Sequence, residues 1–183
     1  MLAQKPSLVV RLRTEDDVDA CVEILKSVHS LDGYPVEGAA MARAWIASDA
    51  ADLKAWVAEL DGHIVGHAIV SRDQEGNAAA DIWRNKHPDK AVAVLQRLFV
   101  SPAARKAGVG RKLIATAMSY SVQNDLQLVL NVMVKDTAAI RLYERMGWSC
   151  IVSATHHFGE RQQMDAVCYA ALANPSRNPT PQA

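Results

Sequence analysis

Several features that mark specialised proteins are scarce in this 183-residue chain. Its formal net charge is zero, from 20 basic and 20 acidic residues, which argues against broad electrostatic binding to nucleic acid. Aromatic residues make up only 5% of the chain, too few for the base-stacking surfaces of single-strand binders. Its apolar runs all fall short of the ~18 residues that cross a membrane. We therefore expect neither a nucleic acid nor a membrane as a partner.

Cysteine is also scarce. Cys21, Cys150 and Cys168 are odd in number and widely spaced, so they indicate neither a disulfide framework nor a zinc motif. This usage is typical of a reducing compartment. The start of the sequence has no apolar stretch of signal-peptide length, and we expect a cytoplasmic protein.

Apolar residues are plentiful, at 50% of the chain, which is enough for one core. We expect one domain over residues 1–173 and a disordered tail over residues 174–183, which is polar and contains three of the seven prolines. The apolar periodicity predicts a strand, two helices, three strands, a helix, a strand, a helix and two strands. This order indicates an α/β domain with a mixed sheet.

Some local structure is predicted more specifically. Asp61-Gly62 is typical of a hairpin turn between two strands. The second helix is expected over residues 37–48. Residues 73–90 are polar, with glycine, asparagine and proline, and are expected to form a long loop. A further loop is expected at His156-His157-Phe158-Gly159, between the last two strands.

The segment from residue 95 to residue 118 carries most of the chemical information. A buried strand passes through a glycine-containing loop into a helix. The first turn of a helix has free N–H groups and a partial positive charge, so it binds phosphates. No acid occurs between residues 101 and 124, and basic residues surround the helix start: Arg105, Lys106, Arg111 and Lys112. Because these cations repel a positive helix end, a bound anion would stabilise the arrangement.

Two common phosphate loops do not fit this segment. A P-loop requires Gly-Lys-Ser/Thr, whereas Gly110 is followed by Arg-Lys-Leu. A dinucleotide fingerprint requires a third glycine or an alanine where this chain has Leu113. Residues 105–110 do match Arg/Gln-x-x-Gly-x-Gly/Ala. A solvated basic surface and a local nucleic-acid patch are two other interpretations of the cations.

A second block lies downstream, Asp136-Thr-Ala-Ala-Ile-Arg-Leu-Tyr143-Glu-Arg-Met-Gly147-Trp148. Together with the loop it resembles the GCN5-related N-acetyltransferase family, whose pattern is Asn-x-x-Ala-x-x-Leu-Tyr-x-x-x-Gly-Phe. The resemblance covers about residues 8–172. It implies one mixed, mostly antiparallel sheet flanked by helices, acetyl-CoA as cosubstrate, and no metal. It also implies direct transfer of acetyl to a primary amine of a small molecule or peptide, and it suggests a homodimer.

The resemblance implies a role for each part of the site. The strand residues Leu98, Phe99 and Val100 would offer backbone groups to the pantetheine arm, and one of their N–H groups would polarise the thioester carbonyl. Tyr143 would donate a proton to the leaving thiolate. The diphosphate would be held by the residues of the loop: Arg105, Lys106, Ala107, Gly108, Val109, Gly110 and Arg111.

The group that takes the acceptor's proton is not identified by the pattern. The strand before the loop has Gln96, which cannot titrate, where relatives often have an acid. A water leading to Glu37, His67 or Asp81 is a route for the proton. Asp136 replaces the family's asparagine and can only accept hydrogen bonds when ionised, so the pattern leaves open whether its side chain contacts the cofactor.

The acceptor is expected to lie among the segments 31–37, 73–90 and 156–163. Its identity cannot be predicted from these residues. Because of Gln96 and Asp136, a non-catalytic module that binds or senses acyl-CoA is the alternative to an N-acetyltransferase.

Overall fold

The sheet has seven strands in the order β1-β2-β3-β4-β5-β7-β6. The computed structural model describes residues 7–47, 49–73, 76–158 and 160–172, so the predicted tail at 174–183 lies outside the described residues. The strands are β1 (Leu8–Leu12), β2 (Asp52–Leu60), β3 (His63–Arg72), β4 (Val92–Val100), β5 (Gln127–Met133), β6 (Trp148–Phe158) and β7 (Gln162–Ala171). Among the described residues the α-helices are α1 (Val18–Asp32), α2 (Ala42–Ile46), α3 (Ala78–Lys86), α4 (Val109–Gln123) and α5 (Thr137–Arg145).

The predicted mixed, mostly antiparallel sheet is confirmed. Neighbouring strands are antiparallel except for β4 and β5, which are parallel. Asp61 and Gly62 join β2 to β3 with φ angles of 51° and 82°, the left-handed pair that a tight hairpin needs. None of the helices within the described residues is long and apolar enough to cross a membrane.

Helices cover both faces of the sheet. On one face, Leu113 and Ile114 of α4 and Tyr143 of α5 join the largest group of buried apolar side chains. On the other face, α1 and α2 pack around Phe99, while α3 packs near Val94. Because side chains alternate along a strand, β4 contributes to both cores.

The start of α1 is fixed by one buried carboxylate. Asp17 accepts hydrogen bonds from the Thr14 N–H at 2.7 Å and from the Arg11 guanidinium, whose two nitrogens each lie 2.7 Å from an Asp17 oxygen. The Arg11 bonds hold the pKa of Asp17 at about 2, so the carboxylate is ionised at neutral pH. This pair ties β1 to the helix that leads to the site.

The second predicted helix is wrong in its extent. It was expected over residues 37–48, but α2 is the short helix Ala42–Ile46, and Ser48 lies outside the described residues. Gly38 adopts φ 97°, which an α-helix does not allow. The segment before α2 therefore consists of turns.

The long loop predicted over residues 73–90 is also wrong, because α3 occupies half of it. The Asn77 side chain accepts a hydrogen bond from the Ala80 N–H at 3.0 Å and caps the helix. Three consecutive alanines then favour helix. Gly76 and Asn77, interpreted as loop residues, instead mark a helix start.

The loop predicted at residues 156–159 is a third correction. His156, His157 and Phe158 belong to β6, where His156 pairs with Met164 and Phe158 pairs with Gln162. Gly159 lies outside the described residues. The histidines are therefore displayed by a long hairpin and not by a turn.

Candidate active site

The sheet splits next to a bulge in β4. β4 and β5 pair over three residues each, and their ladder goes no further within the described strands. Beyond it, the register of β3 against β4 shifts between the His67–Phe99 and Ile69–Gln96 pairs, so β4 contains one extra residue. Arg97 lies in this bulge with φ 52°. Because a bulge bends its strand, the last residues of β4 diverge from β5 and leave a gap.

The three predicted pantetheine-binding residues lie on the diverging part of β4. On the β3 side, Phe99 pairs with His67 and Val100 with Gly66, and Leu98 lies next to the bulge. On the other side, this part of β4 faces the gap that β5 leaves. A free strand edge of this kind can bind an extended ligand as an added strand.

The loop after β4 leads into α4, whose start has no side-chain cap. Lys106 and Gly108 adopt φ 68° and 83° and turn the backbone into α4. Gly108 is the N-cap and supplies no side chain, and the first turn of this fully described helix contains no acid. The N–H groups of Val109, Gly110 and Arg111 therefore form the positive end of α4, where an anion can bind.

Two glycines allow α4 to begin this close to its neighbours. A Cβ atom on Gly66 would lie 2.9 Å from Cγ1 of Val109 and 3.2 Å from the carbonyl oxygen of Phe99. A Cβ atom on Gly110 would lie 3.3 Å from Cδ2 of Leu142. A side chain at either position would push the start of α4 away from its neighbours. The role of Gly66 has no signal in the sequence, because a glycine in a strand can have several causes.

The arginine of the loop is already engaged by an acid. Arg105 donates to both carboxylate oxygens of Asp32, the last residue of α1, with the longer bond at 3.3 Å. Lys135 donates to the Asp32 carbonyl and to the Asp136 carboxylate, both at 2.9 Å. This network connects the segment after β4 with the segment after β5 through the end of α1. Arg105 must leave or share Asp32 for its guanidinium to contact a diphosphate.

Tyr143 lies on α5 with only 6% of its surface exposed. Its ring centroid is 5.5 Å from that of Trp148 and 6.4 Å from that of Tyr169. Burial raises the pKa of Tyr143, and the negative charge of Asp136 raises this pKa further. The phenol is therefore protonated at neutral pH and is able to donate a proton.

An aromatic wall lies on the opposite face of the gap. The ring centroids of Tyr34 and Trp45 are 5.8 Å apart in an edge-on arrangement, and Trp45 lies 6.4 Å from Phe99. Burial raises the pKa of Tyr34, and Tyr143 is close enough to raise this pKa further. The two phenols therefore approach the same gap from two different faces of the sheet.

A side-chain contact joins the segment between α1 and α2 to β6. Oε1 of Glu37 lies 3.0 Å from Nε2 of His156, across 119 positions of sequence. Both side chains remain partly exposed, at 45% and 32%. Residues from segments 31–37 and 156–163 thus meet, and His156 contributes from a strand; that these segments bind the acceptor stays a prediction.

His67 is poorly placed to accept a proton from a substrate. It is fully buried, its Nδ1 lies 2.9 Å from the Arg97 carbonyl oxygen, and its Nε2 lies 3.1 Å from Nη1 of Arg13. A carbonyl only accepts and a guanidinium only donates, so Nδ1 carries the proton and Nε2 is engaged as an acceptor. Burial lowers the pKa of His67 to about 4.

Asp81 lies on α3 and is paired with Arg84 at 3.2 Å. The helix packs near Val94, where the ladder between β4 and β5 ends. Of the three residues suggested as proton acceptors, the geometry favours Glu37. Within the described part of the chain, no three His, Cys, Asp or Glu residues are grouped as metal ligands.

The model of the Acetyltransferase (GNAT) family matches residues 18–148. The chain belongs to the GNAT acetyltransferase family. The match includes the bulged strand, the glycine loop and Tyr143, which places all predicted site residues within the family domain.

Two curated GNAT relatives, both from Methanocaldococcus jannaschii and both named N-acetyltransferases, are similar to the chain. One is 33% identical over 95 residues, which is 51% of each protein. The other is 28% identical over 144 residues, or 76% of this chain and 59% of the relative. The chain thus matches about half to three-fifths of the length of these relatives.

Solved structures share the GNAT fold. Arabidopsis thaliana NAA60 in complex with a bisubstrate analogue superposes with a TM-score of 0.69 at 21% identity, over 92% of this chain and 100% of that one. The same protein in complex with acetyl-CoA gives a TM-score of 0.67 at 20% identity, over 91% and 100% of the two chains. At this level of identity the likeness shows the fold.

Several residues at this GNAT site escape prediction from the sequence. Segment 31–37, which contains Asp32 and Tyr34, was expected near the acceptor, but no motif predicts the contact of Asp32 with Arg105 or that of Tyr34 with Trp45. Arg97 does have a signal, because Gln96-Arg97 is a polar pair inside an apolar strand, and such an interruption is typical of a bulge. The site is therefore built from more of the chain than its motifs indicate.

Proposed function

We propose that this GNAT protein transfers an acetyl group from acetyl-CoA directly to a primary amine. The observation that carries the proposal is the uncapped, acid-free start of α4, which follows a strand edge that is free of β5. A diphosphate and an extended pantetheine arm need these two features in this order. Acetyl-CoA in the NAA60 structure supports the choice of cosubstrate.

The cosubstrate would lie along β4 and end at the loop. The diphosphate would accept hydrogen bonds from the N–H groups of residues 106–111, with Arg105 and Lys106 adding positive charge. The pantetheine amides would bind the backbone of Leu98, Phe99 and Val100. One N–H of this strand would donate to the thioester carbonyl, where negative charge develops during attack.

Transfer would proceed through a tetrahedral intermediate. The neutral amine attacks the thioester carbon and forms the C–N bond, and the C–S bond breaks as the carbonyl reforms. The leaving thiolate receives the phenolic proton of Tyr143, whose raised pKa keeps the phenol protonated until that step. The amine nitrogen is positively charged in the intermediate and loses its second proton to water as the amide forms, and water returns a proton to Tyr143.

The acceptor amine would enter from the face of α1 and β6. Tyr34 and Trp45 would line its path, and Glu37 would receive the ammonium proton through a water before attack. Glu37 is partly exposed and follows Tyr34 in the segment before α2, whereas His67 is fully buried and Asp81 is paired with Arg84. Glu37 and His156 are partly exposed on this face, and small amines and peptide amino termini are the acceptors that we propose to test.

The setting and assembly of the protein are further parts of the proposal. The three cysteines are free, Cys21 and Cys168 in the core and Cys150 at the surface, which favours a reducing, cytoplasmic setting. A homodimer is the assembly that the family resemblance suggests. The alternative of a non-catalytic acyl-CoA sensor gains no support, since the relatives are named N-acetyltransferases.

A binding and turnover experiment tests the proposal. Calorimetry should show that acetyl-CoA binds at least tenfold more tightly than acetyl-pantetheine, which lacks the diphosphate, because phosphate contacts are charge-assisted. Coenzyme A release is then measured against a panel of small amines and peptides with free amino termini. Equal affinity for the two thioesters would overturn the cofactor site. Tight binding without turnover on any amine would overturn the activity.

A further inference from the structure

His67 is a fully buried polar side chain that the proposed acetyl transfer does not use. It lies on β3 directly beneath the bulge of β4, and its ring stacks on Phe99 with centroids 5.1 Å apart and planes 24° apart. Both ring nitrogens are engaged, so the imidazole is neither a proton acceptor for substrate nor a loosely packed core residue. Its contacts instead connect the reacting strand to the rest of the domain.

The first contact holds the bulge itself. The ladder between β3 and β4 is interrupted between His67 and Ile69, where the bulge turns the Arg97 carbonyl away from regular pairing. Nδ1 of His67 donates to this carbonyl at 2.9 Å. A side chain thus supplies the hydrogen bond that the interrupted ladder does not, and it does so at a non-glycine residue with φ 52°.

The second contact fixes His67. Nη1 of Arg13 donates to Nε2 of His67 at 3.1 Å and also to the Ile46 carbonyl at the end of α2. The charges that face the imidazole are those of Arg13 and of Arg97, whose guanidinium is paired with Asp52 at 3.6 Å and lies over the Trp45 ring at 5.7 Å. These contacts favour one neutral tautomer, with the proton on Nδ1.

We propose that His67 is a positioning residue for acyl transfer: its Nδ1–H holds the Arg97 carbonyl, so that the backbone N–H groups of Leu98 and Val100, which point away from β3, are directed at the thioester. The inference rests on the proposed function, since it assigns these N–H groups to the carbonyl of acetyl-CoA. A displacement of about 1 Å at such a donor is enough to reduce turnover strongly.

Three substitutions separate this role from the alternatives. His67→Asn keeps a donor where Nδ1–H is and loses the acceptor. His67→Gln keeps a polar group near Nε2 and loses the donor, and His67→Phe keeps the stacked ring and loses both. His63→Phe on the exposed end of the same strand is the matched control. Each variant is assayed for kcat, for acetyl-CoA affinity by calorimetry and for thermal unfolding.

If His67 acts by positioning, kcat should fall about tenfold to a hundredfold in His67→Phe and in His67→Gln. The rates are measured well below the unfolding temperatures of the variants. Acetyl-CoA affinity should hardly change, because the diphosphate loop is intact. His67→Asn should recover most of kcat and keep the wild-type pH profile. Wild-type kcat in folded His67→Phe, or a folded His67→Asn as slow as His67→Phe, would overturn the proposal.

Two further results keep the inference separate from the proposed function. If wild-type protein does not bind acetyl-CoA, the proposed function fails before any variant is made. If it binds and turns over, only the variants decide the role of His67. Nitrogen-15 spectra of the wild-type imidazole should show protonated Nδ1 and unprotonated Nε2 at pH 7, and the reverse tautomer would overturn the proposal even if every variant failed to fold.

Discussion

The two sides of the split sheet are built in different ways. The cofactor side consists of the end of β4, the loop at residues 101–108 and the start of α4, which are consecutive in the chain. It would recognise its ligand with backbone N–H groups and glycines. The acceptor side joins Tyr34 and Glu37 to His156, more than a hundred positions away, and it would recognise its ligand with side chains.

This difference explains why one side has a motif and the other has none. A backbone cradle needs particular φ angles at fixed spacing, and only a few residue types meet that need, so the requirement is visible in the sequence. A side-chain pocket can be assembled from many residue types on separate elements. We therefore expect variants of the cofactor side to affect all acceptors equally, and variants of the acceptor side to affect acceptors selectively.

Tyr143→Phe should have the largest effect, because Tyr143 would donate a proton to the thiolate that leaves when the C–S bond breaks. Removal of the phenolic proton should lower kcat by about a hundredfold or more, with acetyl-CoA affinity nearly unchanged. Burial raises the pKa of Tyr143 above its usual value near 10, so the wild-type rate should show no alkaline loss from this group below that pH. Steady-state rates from pH 6 to pH 9.5 and calorimetry test both statements.

The control for this variant is Tyr120→Phe, a second tyrosine on the same face, which contacts Trp56 at a centroid distance of 5.5 Å. Its activity should remain close to wild type. An equal loss of kcat in the two variants would mean that Tyr143 acts through packing and not as a proton donor.

Gly108→Ala should affect the cofactor side alone. Gly108 and Gly62 have φ angles of 83° and 82°, and a methyl group added to either would have no neighbour within 4 Å, so alanine strains both backbones equally, by about 1 kcal/mol. Gly62→Ala in the β2–β3 hairpin is therefore the matched control. Both variants should lose similar stability, but only Gly108→Ala should weaken acetyl-CoA binding, by about tenfold.

Equal acetyl-CoA affinities in these two variants, measured by calorimetry on folded protein, would contradict the cradle at the start of α4. A loss of affinity that depends on the acceptor used would contradict the division between the two sides.

The sequence could predict the fold and the cofactor side because local rules determine both. Alternating apolar residues identified most strands, Asp61-Gly62 identified the hairpin, and the glycine loop identified the start of α4. The helix α3 was missed because its cap, Asn77, is equally common in turns. The individual contacts of Asp32 and Tyr34 were missed because they join distant segments, which no local pattern records, and the bulge at Arg97 was missed although the polar Gln96-Arg97 pair is a local signal for it.

Glu37→Gln should have the smallest effect, and it should affect the acceptor side alone. The substitution removes a charge that faces His156 and a carboxylate that can take a proton through water, but Glu37 is 45% exposed and solvent can partly replace it. We expect kcat/KM for the acceptor to fall about three- to fivefold, more for cationic acceptors than for neutral ones, with acetyl-CoA affinity unchanged. The control is Glu23→Gln, which breaks an exposed pair with Lys26 on α1. It should leave unchanged the kcat/KM for cationic acceptors, the kcat/KM for neutral acceptors and the affinity for acetyl-CoA. If Glu37→Gln weakened acetyl-CoA binding as much as it weakened acceptor use, the two sides of the split sheet would not be the separate binding surfaces that their construction indicates.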